Sequence, residues 1–389
     1  MCVGLLDVRH HKMIFMNVIR RFKMAIGISC IIASILICQR GFAQPGNDNQ
    51  LIKTLHVRLP QIIDSAAIPA ISIAVIRRGK IVWSDAMGLK NKETKQQTNK
   101  HSIFEAASLG KPVFAYAVLK LCDVKKLHLD TPLVRYLPKK ILEQQYLKAP
   151  LMDERLNNIT ARMVLSHTSG LPNWRNQKDS LRLLFAPGER YSYSGEGFAF
   201  LQTVVEYLTA LPVNQWMEQT VFLPLKMNRS SFIYQNKDSA DYVTSYENDG
   251  KPSINGKDTE ANVAHTFRTT AEDYARFLIG FISGSGLKNE TRKLLFTKQV
   301  ETGLCKTGTI FWGLGIALQP TTRGIAFLQW AKSPSASGYV FGIPEEGSAV
   351  VYFTNVANQG LRIGEAIVEL TEHYRDPLFS CFGVKQYNQ

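Results

Sequence analysis

Hydrophobic positions run in different rhythms along this 389-residue chain. Ile71-Ser-Ile-Ala-Val-Ile76 and Ile81-Val-Trp83, β-rich runs on either side of a polar Arg77-Arg-Gly-Lys80 break, predict a hairpin. From Leu109 to Leu121 nearly every position is apolar, which predicts a helix buried on all sides. Residues 51–66 read as an amphipathic helix, and residues 123–165 as helical text broken at Asp130-Thr-Pro132 and Tyr136-Leu-Pro138. A turn-rich loop, Pro187-Gly-Glu-Arg-Tyr191-Ser-Tyr193-Ser-Gly195-Glu-Gly197, leads into a helix over 198–208. Thr269-Thr-Ala-Glu-Asp273 opens another, which runs to Phe281. Past residue 310 the pattern changes to successive strands at 310–318, 324–330, 337–342 and 347–354, an antiparallel meander. A last helix is expected over 361–374. Strands at both ends around a helical middle predict an α+β fold. Its antiparallel sheet is formed from both chain ends with flanking helices, and a mostly helical subdomain is inserted at about 120–260.

Composition changes little in that picture, since 45% hydrophobic and 20% charged residues are ordinary for a globular chain of one large domain or two modest ones. The N-terminus departs from it. Arg20, Arg21 and Lys23 precede an apolar run from Met24 to Cys38 and then Gly41-Phe42-Ala43, the order of a secretory signal cut after Ala43. The run of about fifteen residues is short for a spanning helix, so membrane contact is expected only if this segment stays uncut. Residues before Arg20 read as an upstream extension, with Met13, Met16 or Met24 as alternative starts. The expected division is a signal at 1–43, a polar linker at 44–50 and one main domain at 51–389, exported to the periplasm or beyond the cell. Removing residues 1–43 takes the net charge from +14 to +9. The remaining excess is spread along the chain, with Lys125-Lys126 and Lys139-Lys140 densest. That is a solvated surface and argues against nucleic acid as a partner. Cys122, Cys305 and Cys381 remain, an odd and widely spaced set that is no disulfide framework, although one pair has room to form.

Candidate chemistry centres on Ser108-Leu-Gly-Lys111 at the head of the buried helix. Three residues apart, the two side chains share a face, and the amine can take the hydroxyl proton. Pro112 suits a first turn, and the helix dipole favours negative charge developing on the serine oxygen. Ser285-Gly-Leu-Lys288 has the same spacing but lies in a Ser-Gly-Ser-Gly turn, which cannot hold two side chains in register. His167, between Ser166 and Ser169, reads as a packing and hydrogen-bonding residue, because chain neighbours rarely face one another and no Gly-x-Ser-x-Gly elbow occurs. Tyr193 can point a phenol into a cleft, where a neighbouring ammonium would favour phenolate. The eight histidines show no metal-ligand spacing, so neither a metal nor an organic cofactor is expected.

Taken together these residues resemble the serine β-lactamase and penicillin-binding protein superfamily, specifically its class C and esterase-like branch. Ser108-Leu-Gly-Lys111 looks like the Ser-x-x-Lys motif, and Tyr193-Ser-Gly195 like the Tyr-x-Asn motif. Leu165-Ser-His-Thr-Ser-Gly-Leu171, Thr269-Thr-Ala-Glu-Asp273 and Trp312-Gly-Leu-Gly315 look like accessory signatures. The resemblance implies a β-lactamase/transpeptidase-like fold, Ser108 as nucleophile, Lys111 and Tyr193 as proton acceptors, and an oxyanion hole from the amides of Ser108 and Ser333.

Two departures bear on substrate. Gly195 stands where the family has asparagine. Of two segments competing for the third motif, Lys306-Thr307-Gly308 lies before Trp312, out of family order, whereas Trp330-Ala-Lys332-Ser333 lies after it. On the second assignment Trp330 replaces the usual cation or imidazole, with Lys332 on the same side of the strand as a partial substitute. An ester or amide with an apolar acyl group is therefore expected over a β-lactam. The alternatives are a D,D-carboxypeptidase or β-lactamase acting on peptidoglycan-derived or lactam substrates, and a non-catalytic envelope sensor with the same fold.

Overall fold

The computed structural model describes residues 48–148, 153–175, 181–253, 256–305 and 309–374. The signal segment at 1–43, the first four residues of the linker, Lys306-Thr307-Gly308 and Cys381 lie outside the described residues. The described residues from Thr54 onward form one compact unit, and among the described residues no helix is long and apolar enough to cross a membrane.

The expected hairpin is β1 (Ala70–Arg77) and β2 (Lys80–Asn91). Arg78 and Gly79 join them with φ of 52° and 69°, the left-handed pair that suits the twist of a tight hairpin. β2 runs on past Trp83 to pair with a short β3 (Gln96–Gln97). Two further short strands, β4 (Phe104–Glu105) and β5 (Arg268–Thr269), pair with each other away from the main sheet. The C-terminal meander comprises β6 (Val300–Glu301), β7 (Phe311–Trp312), β8 (Ala317–Thr321), β9 (Gly324–Lys332), β10 (Ser337–Ile343) and β11 (Ser348–Thr354). Their order with the N-terminal strands is β3-β2-β1-β11-β10-β9-β8-β7-β6, antiparallel throughout. β1 lies against β11 from Ile71↔Thr354 to Ile76↔Ala349, so both ends of the chain build one sheet, as predicted.

The run expected as one strand at 310–318 is instead two, because Gly313-Leu-Gly315 turns the chain back and pairs Trp312 with Ala317. Gly315 has φ 92°, and a β-carbon there would stand 2.3 Å from that of Ala115. Only glycine meets both demands.

The five longest helices among the described residues are α1 (Asp48–Ser65), α2 (Gly110–Asp123), α3 (Gly195–Thr209), α4 (Ala271–Ser283) and α5 (Gly364–Glu372). The last is shorter than expected, since a separate turn at Asn358–Arg362 precedes it. Alternate residues of β11 reach opposite helices. Phe353 meets the ring of Tyr274 on α4, while Ser348 donates a hydrogen bond to Glu372 on α5. Both faces of the sheet are thus covered, which is why β1, β10 and β11 read as unbroken apolar runs. α2 is buried on every side, as its composition predicts. Cys122 is a free thiol and Cys305 is disulfide-bonded.

Candidate active site

Ser108 does not open α2. It sits in a tight 3-10 turn, Ala107–Leu109, just before it. Ala107 has φ 39°, a conformation costly for a residue with a β-carbon. The strain is held by the carbonyl of Phe267, which accepts from the amides of both Ala106 (2.8 Å) and Ala107 (3.1 Å). Phe267 in turn leads into β5. The Thr269-Thr-Ala-Glu-Asp273 segment steadies that strand: the Thr270 hydroxyl caps α4 through the Asp273 amide, and Asp273 accepts from the Arg229 amide at 2.7 Å.

Lys111, in the first turn of α2, is 1% exposed. Its Nζ lies 3.0 Å from Ser108 Oγ and 2.7 Å from the carbonyl oxygen of Ala264. Burial lowers the amine to about 7, because the charged form loses its water without gaining a carboxylate. Near neutral pH a large share of the amine carries a lone pair, 3 Å from a hydroxyl.

Tyr193 completes the cluster. Its hydroxyl is hydrogen-bonded to Ser108 and accepts from Gln329 Nε2 at 3.4 Å. Here the expectation of a phenolate is reversed. Lys111 Nζ lies over the ring face, 4.8 Å from its centroid, and burial pushes the phenol up to about 12 against the pull of its two hydrogen bonds. The hydroxyl keeps its proton at neutral pH.

His167 is the packing residue expected of it. Its ring stands 4.2 Å from that of Tyr193 and 4.8 Å from that of Trp312. The Ser194 amide donates to Nδ1 at 3.0 Å and the Ser192 amide to its carbonyl at 2.8 Å, so one residue fixes both neighbours of Tyr193. Burial and the nearby Lys111 amine hold the imidazole well below its ordinary range. The Trp312-Gly-Leu-Gly315 turn closes the same scaffold, with the Gly315 amide donating to Leu165 at 2.8 Å.

β9 forms the opposite wall, and here the sequence assignments shift. The Ser333 amide donates to the Ala336 carbonyl at 2.9 Å, closing the β9–β10 turn. It points into the sheet and is not available to an oxyanion. Strand alternation turns the Lys332 amide toward the opposite edge of β9. Gln329 is the β9 side chain that reaches the Tyr193 hydroxyl; it is fully buried, and its Oε1 has no partner among the described residues. Trp330 lies nearly parallel to the Tyr193 ring at 6.3 Å and edge-on to Trp312 at 6.1 Å. Lys332 is half-buried, and burial lowers its pKa.

At Gly195 the missing side chain has a counterpart. A β-carbon there would lie 2.6 to 2.9 Å from the six-membered ring of Trp174, so the indole rests directly on the glycine.

Residues 55–370 match the Beta-lactamase family model. The chain is 29% identical over 213 residues to the esterase EstB of Burkholderia gladioli, covering 46% of this chain and 52% of that protein. It is 23% identical over 254 residues to the protein flp of Staphylococcus aureus, covering 59% and 49%. The chain therefore spans about half the length of these curated relatives. In fold it is similar to the D-alanine carboxypeptidase AmpC of Burkholderia cenocepacia, with a TM-score of 0.69 and 18% identity over 86% of this chain and 99% of that one.

Proposed function

As a member of the beta-lactamase family, this chain is, we propose, a serine hydrolase that works through a covalent acyl-enzyme and prefers esters to β-lactams. The observation that carries the proposal is the buried Lys111 amine, lowered to about 7 and 3.0 Å from the Ser108 hydroxyl.

Lys111 takes the Ser108 proton as Oγ bonds to the substrate carbonyl carbon. The carbonyl oxygen becomes an oxyanion, met by the amides of Ser108 and Lys332; the latter replaces the Ser333 amide, which Ala336 occupies. When the ester C–O bond breaks, the leaving alkoxide takes a proton from the Tyr193 hydroxyl, which Lys111 replenishes. Water then attacks the acyl-enzyme, passes its proton along the same route and releases a carboxylic acid and free Ser108. The scheme uses no metal or cofactor.

The ester preference rests on the β9 wall and on position 195. Gln329 puts a neutral amide beside the phenol, Trp330 and Trp174 present apolar faces, and Gly195 has no amide to hold a substrate amide carbonyl. Lys332 alone favours the second reading, a carboxypeptidase or β-lactamase that binds a substrate carboxylate. Export through the segment at 1–43, with an envelope ester or peptidoglycan-derived substrate, belongs to the same proposal. Parallel assays with short-chain nitrophenyl esters and with nitrocefin test it. Ester turnover that falls about a thousandfold or more in Ser108→Ala supports the reading. Faster nitrocefin turnover selects the second, and a stable adduct without turnover means a binding module.

A further inference from the structure

The segment carrying Trp174 has features that the serine chemistry does not use. Trp174 is 47% exposed, yet its backbone is fastened on both sides to the head of α3. The Asn173 side chain accepts from the Gly195 amide at 3.0 Å, and its carbonyl accepts from the Glu196 amide at 2.9 Å. Arg175 donates through Nε to Glu196 at 3.0 Å and through Nη1 to the Tyr146 carbonyl at 2.9 Å. An indole left half in water on so well-tethered a segment has its ordering cost met before any ligand arrives.

The ring also adjoins the segments that carry the phenol and the amine. It covers Gly195, two residues from Tyr193. Its edge faces the exposed ring of His265 at 6.1 Å, and His265 adjoins Ala264, whose carbonyl holds Lys111 Nζ. Trp174 and His265 thus bridge the two segments that position the phenol and the amine. A leaving oxygen must sit by the Tyr193 hydroxyl, on the side of Gln329 and Trp330, and the oxyanion must sit by the backbone amides. The Trp174 ring, against Gly195 and beside His265, is the half-exposed apolar surface that adjoins both of these segments.

We propose that Trp174 is the platform for the acyl group, and that Gly195 is glycine so that the indole can lie there; the site then takes aryl or other bulky, flat apolar acyl groups in preference to acetyl. This inference rests on the acyl-transfer reading of the same site.

Two nitrophenyl esters with one leaving group, phenylacetate and acetate, isolate the acyl side. The wild type should favour phenylacetate in kcat/KM. Trp174→Ala should narrow that ratio about tenfold, the scale of a stacked aromatic contact, with Trp174→Phe retaining most of it. Gly195→Ala keeps the indole but drives a methyl into it, and should narrow the ratio as well. An unchanged ratio in both Trp174→Ala and Gly195→Ala overturns the proposal. A separate readout stands apart from the chemistry. In Ser108→Ala, which cannot be acylated, phenylacetate ester should quench a tryptophan signal that the Ser108→Ala/Trp174→Phe double variant lacks. Quenching without any ester turnover by the wild type would sink the hydrolase reading and leave the platform standing. Turnover without quenching would do the reverse.

Discussion

Lys111 Nζ and Ser108 Oγ stand 3.0 Å apart, the amine shut off from water and the serine half-buried beside it. With the ammonium destabilised by burial, the proposed base is poised to accept a proton near neutral pH.

This relationship fixes a pH profile. Lys111 is lowered to about 7, so the neutral form that the proposed mechanism needs grows as pH rises through that value. The expected kcat/KM for a nitrophenyl ester climbs about tenfold per pH unit below 7 and levels off above it. Tyr193, raised to about 12, keeps its proton across the same range and adds no limb below pH 9. A profile flat from pH 5 to 8 would remove Lys111 from the base role.

Gln329 gives a prediction in which activity and stability part company. Its Nε2 donates to the Tyr193 hydroxyl and to the Trp330 carbonyl, while its Oε1 is buried with no partner among the described residues. Gln329→Leu removes both groups at similar volume. The lost donor should lower kcat about tenfold, and removal of the orphaned oxygen should leave the melting temperature unchanged or raised. A parallel fall in activity and thermal stability would mean that Gln329 serves the fold alone.

Gly315 tests the scaffold beneath the site. With φ 92° and Ala115 in the way, Gly315→Ala combines backbone strain with overpacking against α2 one turn beyond Lys111. Destabilisation of about 2 to 4 kcal/mol is expected in a denaturant titration. A variant as stable as the wild type would show that the turn has room to shift.

What the sequence made legible follows from how local each signal is. Ser108 and Lys111 lie within one turn of each other, so spacing and side-chain chemistry suffice to pair them. The runs of β-branched and aromatic residues in β1, β10 and β11 announce themselves by composition. β9 carries no such contrast: Ala326 to Gln329 are all buried, so neither face stands out as polar, and nothing in the letters tells Gln329 from Trp330 as the side chain that reaches the phenol. The Ser333 amide was misplaced by the same one-residue slip. The state of Tyr193 went astray for a different reason: desolvation, a property of the whole packed site, outweighs one neighbouring amine. Trp174 lying on Gly195 joins residues 21 apart through a surface loop, and no periodicity encodes such a contact.

The central claim is that Ser108 is the group that becomes acylated. Intact-mass measurement after exposure to a fluorophosphonate, followed by peptide mapping, reads this directly. One adduct per chain on the peptide bearing Ser108, absent from Ser108→Ala and much slower to form in Lys111→Ala, is the expected result. Undiminished labelling of Ser108→Ala, or an adduct mapped to another residue, would contradict it.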